Sequence, residues 1–230
     1  MKEFISSSSF FGLLLSLITY LLGLIIKRKF KYSFINPLLI AIVLTIGVLV
    51  LCDIEYDTYN SSARYLSYLL TPATISLALP LYEQIDKLKK NALAILIGIL
   101  SGVITSLTTV LLLSKLFDFP YEVFVTFLPK SITTAIGMSV SEQLGGYVSI
   151  SVTAIVLTGV LGNVICELIL KIFGIKNKIA KGIAIGTASH AIGTSKAMEM
   201  GEVEGAISSL SIVVAGIMTV LLVNIFVNLY

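Results

Sequence analysis

The sequence predicts an all-α integral membrane protein of about six full spans, with two further re-entrant or broken-helix segments arranged as in an inverted-repeat transporter. Three observations carry that fold class. Only 13% of the residues are charged and 57% are hydrophobic, where an average soluble domain is roughly 25% charged. The charges are clustered, leaving uncharged runs of about spanning length at 10–26, 34–51, 65–82, 92–114, 145–166 and 205–230. Two Gly/Ser/Thr-rich stretches, SITTAIGMSVS (131–141) and TASHAIGTSKA (187–197), interrupt that background. Polar, irregular backbone at membrane depth survives only where protein or a water-filled cavity surrounds it.

Basic residues orient the spans, because loops rich in lysine and arginine stay in the cytoplasm. Eleven of the sixteen lie in three segments: Lys27, Arg28, Lys29 and Lys31; Lys87, Lys89 and Lys90; and Lys171, Lys176, Lys178 and Lys181. Segment 53–64 instead carries Asp53, Glu55 and Asp57 against a single Arg64. The spans then run inward at 10–26, outward at 35–51, inward at 65–82 and outward at 92–114, with both termini outside. The first span and its basic loop, 1–34, form an N-terminal element, and 35–230 a membrane domain. Span 10–26 ends in Lys27-Arg28-Lys29 without a small-residue cleavage site, so it reads as a retained helix and not a signal peptide.

From Asp118 outside to Lys171 inside, the chain must cross an odd number of times. Segment 145–166 is a full span, whereas 123–144 is interrupted by Pro129 and Lys130 and is polar through Ser131, Thr133 and Thr134. It is expected to re-enter from outside. By the same reasoning 182–201 re-enters from the cytoplasm, and 205–228 exits. The two polar stretches are a near-repeat: Ala135, Ile136, Gly137, Ser139 and Gly145 match Ala191, Ile192, Gly193, Ser195 and Gly201 without a gap. A duplicated pair of interrupted segments is a sequence pointer to a transporter's substrate site. A third stretch, 69–84, holds Pro72 and Pro80, whose missing N–H groups would free backbone carbonyls inside the membrane.

Cys52 and Cys166 are isolated thiols without metal or disulfide spacing, and one histidine cannot build a His-rich metal site. No metal and no cofactor are expected. The net charge of +3 sits beside apolar spans, so it reads as an orientation signal and not as a nucleic-acid surface. No HExxH, GxSxG or phosphate-binding glycine loop is present, and the chain does not read as an enzyme.

Three blocks carry a family resemblance: LLTPATISLALPLYEQ (69–84), LPKSITTAIGMSVSEQLGG (128–146) and KGIAIGTASHAIGTSKAMEMGEVEGAISSLS (181–211). They resemble the signature blocks of the LrgB/CidB family of antiholin-like membrane proteins, over most of the chain from about residue 36. The resemblance implies two activities. One is a link to murein hydrolase export and lysis; the other is transport of small monocarboxylates, as in the similar plastid glycolate/glycerate translocator and in relatives linked to pyruvate. It also implies a small LrgA/CidA-like membrane partner. The family commonly has a proline after the Thr-Thr pair, where this chain has Ala135.

A small 2-hydroxy or 2-oxo acid needs hydrogen-bond donors and positive potential, which helix N-termini supply together. Ser131, Thr133, Thr134, Ser189, Thr194 and Ser195 would donate, and Gly137 and Gly193 would let backbone approach. Lys130 and Lys196 are the basic residues inside the two segments, set against snorkelling for Lys130 and an i,i+3 pair with Glu199 for Lys196. His190 and Glu142 are the proton-coupling candidates. Pro72, Pro80 and Pro129 are the candidate helix breakers. Glu202 and Glu204 read as polar residues opening the last span. A carrier of small monocarboxylates, moving by alternating access with proton coupling open, is the leading function. An antiholin-like regulator or pore component is the alternative. The lipid bilayer is a partner in either case, and self-assembly is left open.

Overall fold

The computed structural model describes residues 10–30, 36–69, 72, 75–76 and 78–230. The described residues are helical and loop, with no strand. The chain divides into two compact units, 1–76 and 77–230.

In the first unit, α1 (Phe11–Phe30) packs beside α2 (Pro37–Leu51), and α3 (Tyr56–Ala63) follows, continued by a 3₁₀ turn at Arg64–Leu69. Asn36 starts α2 by accepting from the N–H groups of Leu38 and Leu39, and Pro37 follows at the position where a missing N–H costs nothing. Buried hydroxyls tie this unit: Ser62 Oγ accepts from Gly12 N at 2.7 Å, and Thr19 and Thr45 Oγ1 lie 3.0 Å apart.

The second unit holds α4 (Ala78–Glu83), α5 (Ile85–Lys90), α6 (Ala92–Leu116), α7 (Tyr121–Phe127), α8 (Thr134–Gln143), α9 (Val148–Ile172), α10 (Lys178–Met200) and α11 (Glu202–Leu229). Among the described residues, four helices are long and apolar enough to cross a membrane: α1, α6, α9 and α11. This is a multi-pass membrane protein. Helix α6 explains why both its faces are apolar. Ile95, Ile99, Val103 and Leu107 form a buried stripe at four-residue spacing, while Leu93, Ile97, Leu100 and Leu112 face outward, where lipid would lie.

The expected span at 65–82 lies partly outside the described residues. Its described part opens with the 3₁₀ turn Arg64–Leu69, is helical at 72 and at 75–76, and runs into α4, while residues 70, 71, 73, 74 and 77 lie outside the described set. Helix α2, at 15 residues, is shorter than the expected span. It reaches about 22 Å, against about 30 Å of hydrocarbon.

Two helical hairpins fill the space between the long helices. In the first, α7 and α8 join through 128–133, whose Leu128, Pro129, Ser131 and Ile132 are buried. The hairpin is pinned to the start of α9. Thr126 Oγ1 accepts from Tyr147 N at 2.8 Å, and Ser151 Oγ donates to Thr126 O at 2.7 Å while lying 2.7 Å from Ser141 Oγ. Gly145 closes α8 at φ +79, a conformation that favours glycine.

The second hairpin is α10 folded upon itself. Were 178–200 one straight rod, residues 182 and 198 would stand about 24 Å apart. Instead both lie against the start of α11, Gly182 on Glu204 and Met198 on Gly205. The chain reverses at His190, the one residue inside α10 with non-helical backbone, at φ 42 and ψ −140. Asn177 caps the first arm by accepting from Ile179 and Ala180 N–H groups. The hairpins therefore enter from opposite ends of α9, and their tips reach the middle of the long helices: Gly102 and Ser106 on α6, Ile155 and Gly159 on α9, Ser211 and Gly216 on α11.

Candidate functional site

Close approach at mid-level depends on missing side chains. On α9, a Cβ at Gly159 would stand 2.7 Å from the His190 ring, and one at Gly162 would stand 1.7 Å from Ser189 Oγ. On α6, a Cβ at Gly102 would meet Thr187 at 2.7 Å. The second hairpin tip is thus seated in notches cut by glycine. The first tip reaches the same level, where Gly137 lies under Ile155 Cδ1 and Ser131 Oγ is 3.1 Å from Ser106 Oγ.

Between the tips lies a cavity of about 580 Å³. Helix α6 contributes Ser101, Thr105, Ser106 and Thr109; the first hairpin turn gives Lys130 and Ser131; α9 gives Thr158; the second hairpin gives Thr187 and Ser189. Glycines and aliphatic side chains complete the wall, so Lys130 is the charged residue of a hydroxyl-rich lining. Its ammonium donates to Ser131 Oγ at 3.1 Å. It is half-buried, and among the described residues it makes no salt bridge with a carboxylate. A lysine whose partner is a neutral hydroxyl keeps its charge free for an anion. The surrounding hydroxyls can each turn a proton toward the same ligand.

The structure brings Lys130, Ser131 and Ser189 into that lining and sets the other sequence candidates elsewhere. Thr133 stands at the start of α8 without capping it by its side chain, Thr134 follows, and Gly137 packs on Ile155 and Pro129. His190 is buried, and its Nε2–H donates to the Ile155 carbonyl at 2.9 Å, which fixes that nitrogen as protonated. Gly193 nests against Ile185 and Ser189 of the opposite arm. Thr194 donates to His190 O and lies 2.7 Å from Ser208 Oγ. Ser195 donates to Ile192 O and accepts from Asn163 Nδ2 at 3.1 Å. Lys196 is held between Glu167 at 2.9 Å and Glu199 at 3.1 Å, which makes it a strut between α10 and α9. Glu142 is exposed in the last turn of α8. Of the prolines, Pro129 is buried at the first hairpin tip, Pro80 lies within α4, and Pro72 is exposed.

Two features escaped the sequence reading. The first is the hydroxyl face of α6. Ser101, Thr105 and Thr109 recur every four residues, a spacing that puts them on one side of a helix. That signal was present but ambiguous, because each also donates to a carbonyl three or four residues earlier, as such residues do in any apolar helix. The second is Glu204, read as a solvated opener of the last span. It is 3% exposed, its Oε2 makes no hydrogen bond, and it packs beneath Gly201. Gly201, at the end of α10, sits against its carboxylate, and Gly182 of the other arm against its backbone carbonyl, a closeness that no local pattern signals.

Comparison with known proteins identifies the family. The family model described as LrgB-like matches residues 16–229. The antiholin-like protein LrgB of Bacillus subtilis (strain 168) is 40% identical over 223 residues, covering 96% of each chain. Its namesakes in Bacillus mycoides (strain KBAB4) and Bacillus cereus (strain B4264) are 39% identical over 218 residues, covering 94% of this chain and 95% of theirs. No solved structure matches. With three quarters or more of its length matched by the family model and its relatives alike, the chain belongs to the LrgB-like family.

Proposed function

We propose that this chain is an antiholin-like protein of the cell membrane, as its relatives are named, and that its molecular act is to carry small monocarboxylates across the bilayer. The two levels rest on different support. The antiholin-like role rests on relatives that match nearly the whole chain, whose names mention no carboxylate. The carrier activity rests on one observation: Lys130, without a carboxylate partner, lies in a hydroxyl-lined cavity between two hairpin tips at the middle of the long helices.

That arrangement suits a carrier. Each hairpin is followed by a full helix, α7–α8 by α9 and α10 by α11, and the two hairpins enter from opposite ends. This is the layout expected of an inverted repeat, in which rocking one half against the other exposes a fixed site alternately to each side. A carboxylate would pair with Lys130, and nearby hydroxyls would satisfy its remaining lone pairs without a second fixed charge, so release stays affordable. No bond is made or broken in this scheme, and neither an enzyme's catalytic group nor a cofactor is invoked. Orientation follows the basic loops, with both termini outside.

The relatives' names favour a second reading, in which the chain regulates or completes a pore with an LrgA/CidA-like partner and carries no solute itself. Proteoliposomes containing the purified chain, alone and then with such a partner, separate the two. Saturable, stereoselective uptake of labelled lactate or glycerate supports the carrier. Leakage of unrelated solutes such as sucrose, or flux that never saturates, removes it and leaves the regulator or pore.

A further inference from the structure

A small recess opens where the cavity meets the core, and Thr187 stands at that junction. The recess measures about 10 Å³ and is lined by Ser106, Ser131, Thr187 and Thr219 together with apolar groups. Ser106, Ser131 and Thr187 also line the large cavity, so the two spaces share a wall. Thr187 is 6% exposed, and its Oγ1 finds no hydrogen-bond partner among the protein groups. Its methyl group is seated against Gly102, which holds the side chain in place.

A buried hydroxyl without a partner carries a desolvation penalty that a ligand atom can relieve. The volume matches one oxygen-sized atom, since about 10–15 Å³ of this kind is what a single water needs. The unpartnered Thr187 hydroxyl in this otherwise largely apolar recess is satisfied by an oxygen and not by a methyl. Ser131 links this point to the charge, because Lys130 Nζ lies 3.1 Å from Ser131 Oγ. A cation is disfavoured by that neighbouring ammonium.

We infer that Thr187 is a specificity-determining residue, whose hydroxyl receives the 2-oxygen of a small 2-hydroxy or 2-oxo acid while Lys130 holds the carboxylate. The inference rests on the carrier reading and adds the group that tells such acids from their deoxy counterparts. A site built to hydrogen-bond a substrate oxygen rejects the analogue lacking it more strongly than an apolar pocket rejects an extra group.

The test is uptake of lactate against propionate by the intact chain in proteoliposomes, for the parent, Thr187→Val and Thr187→Ser. Valine keeps the shape that fills the Gly102 notch and removes the hydroxyl; serine keeps the hydroxyl. The parent is expected to prefer lactate by roughly tenfold in kcat/KM, Thr187→Val to bring the lactate-to-propionate ratio close to one, and Thr187→Ser to retain the preference. A parent that takes up both acids equally, or a Thr187→Val variant that still discriminates, overturns the inference while leaving the carrier intact. Absence of uptake of either acid by the parent overturns both.

Discussion

His190 donates its Nε2–H to the carbonyl of Ile155 across 2.9 Å, and the side chain of that same isoleucine lies over Gly137. One residue of α9 therefore touches both hairpins, the second through its backbone and the first through its side chain. His190 also turns the chain at φ 42, a backbone setting that non-glycine residues adopt at a cost of about 1–3 kcal/mol.

His190 both turns the chain and bonds to α9, and its replacements should separate these roles. His190→Ala loses the hydrogen bond and keeps the strained backbone, whereas His190→Gly loses the bond and relieves the strain. Glycine is expected to be more stable than alanine here by about 1 kcal/mol, the reverse of their order inside an ordinary helix. Thermal unfolding of both variants in detergent checks the sign. Because His190 lies outside the cavity lining, His190→Ala should slow lactate uptake while leaving lactate affinity within about twofold. A lost affinity with unchanged turnover would put His190 in the binding site instead.

Gly162 marks the closest approach between α9 and the second tip. A methyl group there would overlap Ser189, so Gly162→Ala should destabilise the protein by about 1–3 kcal/mol through overpacking. Removing the opposing side chain should restore the fit, so Gly162→Ala with Ser189→Gly is expected to recover most of the lost stability. A double variant no better than the single one would mean the two residues are not in contact.

Lys196 should behave unlike Lys130. Its partners Glu167 and Glu199 are substantially exposed, and pairs of that kind contribute about 0–1 kcal/mol. Lys196→Gln is therefore expected to lower the unfolding temperature slightly and to leave uptake within about twofold. A tenfold loss of uptake would show that this lysine handles substrate.

Topology gives an independent check. With Cys52 and Cys166 replaced, a cysteine at position 87 should react with a membrane-impermeant maleimide only from the cytoplasm, and one at position 57 only from outside. The opposite pattern would invert the orientation while leaving the internal geometry untouched.

The comparison of sequence with structure has a physical lesson. Both hairpins were legible because a polar, proline- or glycine-marked stretch cannot cross hydrocarbon alone, and Pro129 and the Gly-Thr-Ala-Ser-His run announced that. The direction of side chains at the tips was not legible. Reversal at His190 turns the second arm back on the first, so Thr194, Ser195 and Lys196 end on helix contacts while Thr187 and Ser189, three residues and one residue before the turn, line the cavity. Helical periodicity holds only within an arm, and it is lost at a non-helical φ/ψ.

The central claim is that the cavity between the hairpin tips holds an anion on Lys130. The most direct measurement is lactate uptake into proteoliposomes by Lys130→Arg and Lys130→Gln, with equal amounts of reconstituted protein. Arginine keeps the charge and is expected to retain measurable, saturable uptake; glutamine removes it and is expected to cost at least tenfold, since hydrogen bonds to charged groups contribute about 1.5–3 kcal/mol. Uptake by Lys130→Gln equal to that of the parent would contradict the account.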